Sequence, residues 1–141
     1  MGEARDSYWG QHVYVRHGLY THHGIGDGRG GVIHYTGLAN GLRSGPVRRT
    51  PIEEFAAGRP VKVRTHRRRK HAPAEAVQRA EARLGEDRYH VVWNNCEHFA
   101  EWCITGRGRS RQIRMAAKAA WLVVTPVVCY AAARLGTRRR A

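Results

Sequence analysis

Glycine and histidine divide the first 45 residues into short extended pieces. "HVYVR" (12–16), "YTHHGI" (20–25) and "GVIHY" (31–35) read as strands, and "GDGRGG" (26–31) as the turn joining the last two. Helices come later. Thr50-Pro51-Ile52-Glu53 has the form of a capping box with proline at the first helical position, opening a short helix to about Ala57. "PVKVRTH" (60–66) alternates apolar and basic residues, as a strand with one wet face does. "AEAVQRAEARL" (74–84) is an amphipathic helix closed by Gly85. In "YHVVWNNCEHFAEWC" (89–103), a short apolar strand leads through two asparagines into another helix. Strands first, then helix, strand and helix, predict an α+β fold with a small antiparallel sheet.

The charge is lopsided. The net charge is +14, and all 11 acids lie at or before Glu101. Residues 102–141 therefore carry nine Lys/Arg without compensation, and "RPVKVRTHRRRKH" (59–71) holds seven more. Such fields favour phosphate backbones or acidic lipid surfaces. The run 66–71 has no interleaved aromatic, so it lacks the stacking platform of a single-strand binder. It reads as a solvated, lipid-facing loop, and no nucleic-acid partner is expected.

"MAAKAAWLVVTPVVCYAAA" (115–133) carries one lysine, Lys118, between basic flanks. As a helix it reaches roughly 28 Å at about 1.5 Å per residue, close to a bilayer core. A buried terminal helix is the plainer alternative, but Pro126 in a soluble helix costs about 3 kcal/mol. Membrane association through 115–133, at the cytoplasmic face, is the expectation. The N-terminus shows no apolar secretory run. Three cysteines make no disulfide framework, and Cys96 and Cys103 stand roughly 10 Å apart along one helix at about 1.5 Å per residue.

Cys96 opens its helix. Unpaired N–H groups and the dipole there favour a thiolate and can hold an oxyanion. Asn94 or Asn95 is placed to cap the helix, and Phe99, Ala100 and Cys103 form an inward stripe. The dull reading is a buried small hydrophobe. His22 and His34, twelve residues apart across the glycine turn, fall on one face if their strands pair, and His23 falls on the other. His22 is then the candidate general base for Cys96, and His34 the residue that orients or polarises it. Zinc is the other use of two histidines and a cysteine, but no fourth ligand or CxxC pair accompanies them. No cofactor or metal is expected. Glu97 and His98 read as structural.

"HHGI…VIHYTG" followed by "NNCEHF" resembles the lecithin:retinol acyltransferase family, including its phospholipase A/acyltransferase branch, over roughly residues 8–104. The resemblance implies a circularly permuted papain-like core in residues 1–106, with a basic linker and C-terminal hydrophobic anchor in 107–141. It implies a Cys96 acyl-thioester taken from a phospholipid ester and passed to water, an amine or an alcohol. The phospholipid and an anionic membrane surface are the partners this implies; the oligomeric state is left open. One departure stands out: Gly26-Asp27 follows Ile25 directly, where the family usually has two more strand residues. Two other readings remain at this stage. One is a cysteine peptidase or amidase of the same permuted class; the other is a non-enzymatic basic module for lipid or nucleic acid.

Overall fold

The computed structural model of the chain describes residues 7–18, 20–36, 45–87 and 96–107. The extended segments form a five-stranded antiparallel sheet: β1 (His12–His17), β2 (Tyr20–Gly26), β3 (Gly31–Tyr35), β4 (Val47–Pro51) and β5 (Lys62–Arg64), in the order β4-β3-β2-β1-β5. Three helices accompany them: α1 (Ile52–Ala56), α2 (Pro73–Glu81) and α3 (Cys96–Thr105). The expected α+β class with a small antiparallel sheet is what forms. The expected strand at 89–93, the capping asparagines Asn94 and Asn95, and the hydrophobic segment 115–133 lie outside the described residues. No described helix is long and apolar enough to cross a membrane.

The glycine-rich turn is built by Asp27. Its Oδ1 accepts from the amides of Arg29 at 2.7 Å and Gly31 at 2.8 Å, and Gly28 and Gly30 take the positive φ values of 74° and 82° that the turn requires. Arg49 holds the other carboxylate oxygen at 3.0 Å.

Two elements depart from expectation. The Thr50 capping box does not form: α1 has no side-chain cap, and Thr50 lies in strand β4 instead. Strand β4 itself was not anticipated, because Val47 is its one buried residue and Arg48 and Arg49 are exposed. Such charge suits an edge strand, which must not invite another chain. The 66–71 run is also less solvated than expected. Arg69 donates to the Gly10 carbonyl at 2.8 Å, and His71 is buried against Glu75.

The sheet has two apolar faces. On one, Ile25, Ile33, Tyr35 and Val47 meet α2 and the α3 stripe of Cys96, Phe99, Ala100 and Cys103. Phe99 sets its ring edge-on to Tyr35 at 5.7 Å, and burial of such a ring contributes about 1.5–3 kcal/mol. On the other, Val13, Val15 and Val32 are covered by Phe55 of α1. Strand alternation assigns each histidine to one of these faces.

Candidate active site

Cys96 is the first residue of α3 and is almost wholly buried. Its Sγ donates to the Thr21 carbonyl at 3.8 Å, while the amides of His23, Glu97 and Cys96 itself point at the sulfur. Strand β2 pairs with β3 only through Ile25↔Ile33 and Gly26↔Val32 among the described residues. Residues 20–23 carry no backbone register pair with β3 among the described residues, and the sulfur sits against the backbone of the two residues that flank His22.

The helix start was expected to bring the thiol toward ionisation. Instead its pKa is pushed up to about 11: burial dominates and the Glu97 carboxylate adds to it, outweighing the three amides. The free thiol is therefore neutral at pH 7. Glu97 is itself fully buried, and Arg64 of β5 pairs with it at 2.7 Å. The first-turn acid thus answers to a specific cation as well as to the helix dipole. Cys103, two residues before the end of the same helix, is likewise buried and free.

His22 and His34 meet on the Phe55 face. The His22 Nε2 lies 2.7 Å from the His34 Nδ1, and both rings rest on Phe55 with centroids 5.0 and 5.1 Å away. The His34 Nδ1 is also 3.0 Å from the Tyr35 carbonyl, and its Nε2 is 2.9 Å from the Thr50 hydroxyl. Thr50, read from sequence as a helix cap, is therefore an anchor for His34. Burial, with the neighbouring imidazole, lowers His22 to about 3; burial lowers His34 to about 4, against the Tyr35 hydrogen bond. Both are neutral at pH 7. No imidazole nitrogen among the described residues is within hydrogen-bonding distance of Sγ.

His23 takes the opposite face, as strand alternation requires. Its Nδ1 meets His12 Nε2 at 2.9 Å, and His12 Nδ1 meets His66 Nε2 at 2.8 Å. This second row was not foreseen. Its signal in the sequence is faint: His12 opens β1 and pairs across to Arg64, two residues before His66. Among the described residues no group of three or more His, Cys, Asp or Glu side chains is arranged to hold a metal ion.

The site can therefore supply a nucleophilic sulfur, amides beside it for an oxyanion, and neutral imidazoles able to accept a proton. Comparison with known proteins gives this chemistry a setting. The family profile described as "Lecithin retinol acyltransferase" matches residues 5–109. The chain is 36% identical over 74 residues to the lecithin retinol acyltransferase of Bos taurus, covering 50% of this chain and 32% of that protein. It is 36% identical over 70 residues to that of Mus musculus (47% and 30%) and 34% over 70 residues to that of Homo sapiens (47% and 30%). The matched segment thus spans about a third of each curated relative.

Proposed function

Because the chain belongs to the lecithin retinol acyltransferase family, we propose that it is a cysteine-dependent acyltransferase of phospholipase A type. It takes an acyl group from a lipid ester onto Cys96 and passes it to water, an amine or an alcohol. The observation that carries this reading is the sulfur at a helix start with three backbone amides on it, set against the backbone of the two residues that flank His22.

In the mechanism, His34 Nδ1–H donates to the Tyr35 carbonyl and its Nε2 accepts from the Thr50 hydroxyl, which fixes the ring against His22. The Sγ proton moves to the neutral His22 ring as sulfur attacks the ester carbonyl, the amides take the developing oxyanion, and the imidazolium then protonates the leaving alcohol. His34 is a positioning residue. The thiol at about 11 and His22 at about 3 make charge separation unfavourable in the free protein. Ionisation then belongs to the complex with lipid, where apo hydrogen bonds tighten. Residues 1–106 carry the chemistry, and 107–141, with the basic run at 59–71, provide attachment to anionic lipid at the cytoplasmic face through 115–133.

The test is incubation with phospholipid followed by mass spectrometry of the Cys96 peptide. An acyl mass in wild type that is absent from Cys96→Ala supports the reading. If wild type gains no acyl mass yet binds anionic vesicles, a basic lipid-binding module replaces it. Acyl transfer from peptide amides in place of lipid would move the substrate to the peptidase class.

A further inference from the structure

The row His23–His12–His66 has no part in the steps above. It begins on the sheet face that carries Cys96, where the His23 amide touches the sulfur, and ends at the half-buried His66. Its inner end is open: His23 Nε2 is buried with no hydrogen-bond partner among the described residues. A buried nitrogen left in that state costs about 1–3 kcal/mol, and its bare presence calls for an explanation. The groups facing His23 are Tyr14 and His12 from β1, Arg64 from β5, and Glu97 and Cys96 from α3, with His22 behind it on β2. Burial keeps His12, His23 and His66 below the ordinary histidine value. Each ring then carries one N–H and one lone pair, the state in which a row of imidazoles passes a proton by exchanging tautomers.

Resting on the acyl-cysteine reading, we infer that this row is the proton path of the second half-reaction, deacylation. The acceptor's O–H or N–H attacks the Cys96 thioester, and its proton goes to His23 Nε2. His23 Nδ1–H passes to His12 Nε2, His12 Nδ1–H passes to His66 Nε2, and His66 Nδ1–H leaves to water. The C–S bond breaks as the new acyl bond forms. The thiolate regains its proton by the reverse of the same path, which also returns the three tautomers to their starting state. The two histidine groups thus divide the cycle: His22 with His34 for acylation, and His23 with the row behind it for deacylation.

The test uses the full chain with dihexanoylphosphatidylcholine, following turnover and the fraction of Cys96 carrying an acyl mass at steady state. His66→Ala, at the half-buried end, leaves the core intact. Its turnover is expected to fall several-fold to ten-fold while acyl-Cys96 accumulates, and added imidazole restores turnover over the Cys96→Ala background. His12→Gln does the same without rescue, because its ring is out of reach of solvent. Unchanged His66→Ala turnover with no imidazole effect, or lower turnover without acyl accumulation, overturns the path while leaving the acyl-cysteine reading intact. No acyl mass in wild type removes both.

Discussion

The two histidine groups flank the same strand and differ in how they end. His22 and His34 close on the Thr50 hydroxyl, under Phe55, so both rings are held in place. His23 and His12 run out to half-buried His66, and the inner nitrogen is left open. A closed pair suits orientation, and an open row suits conduction. The same residue type serves either purpose, depending on what lies at its far end.

The largest expected effect concerns neither group alone. Cys96→Ala removes lipid hydrolysis and transfer entirely, measured by product release. Residual turnover within ten-fold of wild type breaks the comparison, since neither histidine group would then have a sulfur to serve. Next comes His34→Gln, which loses an orienting partner that holds the His22 imidazolium. A hydrogen bond to a charged group is worth about 1.5–3 kcal/mol, so kcat drops roughly ten- to hundred-fold with little change in KM. An effect confined to KM would remove the positioning role.

A third expectation sharpens the contrast through stability. His22, His34 and His23 are all depressed by burial, to about 3, 4 and 4. Below 6.5 the unfolded chain takes up protons that the folded chain refuses, so stability is retained above that pH and lost as it falls toward 4. Each such group contributes about 1.4 kcal/mol per pH unit in that window. The sign reverses for the thiols. Cys96 and Cys103, raised to about 11 and 12, lose stability as pH climbs from 9 through those values. Thermal melts from pH 4 to 10 should show a maximum between pH 7 and 9, and a flat acid limb contradicts the buried neutral histidines. The smallest effect belongs to Thr50→Val, which removes one hydroxyl from His34. About 1 kcal/mol corresponds to a few-fold loss of kcat, and His12→Gln should not deepen the acylation defect.

Much of this arrangement was readable in the chain. The hairpin of β2 and β3 follows from alternation and from a glycine turn with Asp27 at its base, and the same alternation puts His22 with His34 and sends His23 away. The α3 stripe follows from helical spacing. What escaped depends on long-range contact. Strand β4 carries too little apolar pattern to announce itself, and Thr50 is an ordinary cap by sequence until β4 pairs with β3. The row through His66 exists only because β1 and β5 pair across some fifty residues of chain. The thiol's direction was misjudged because the amides at a helix start are legible and the depth of burial around them is not.

The account turns on which face supplies the base for the sulfur. Single-turnover acylation of Cys96 by dihexanoylphosphatidylcholine, timed by mass spectrometry in His22→Gln and His23→Gln, addresses it directly. The prediction is a loss of roughly 10²–10⁴-fold for His22→Gln, with His23→Gln acylating within a few-fold of wild type and stalling as the acyl-enzyme. Wild-type acylation in His22→Gln, with the loss falling on His23→Gln instead, would contradict it.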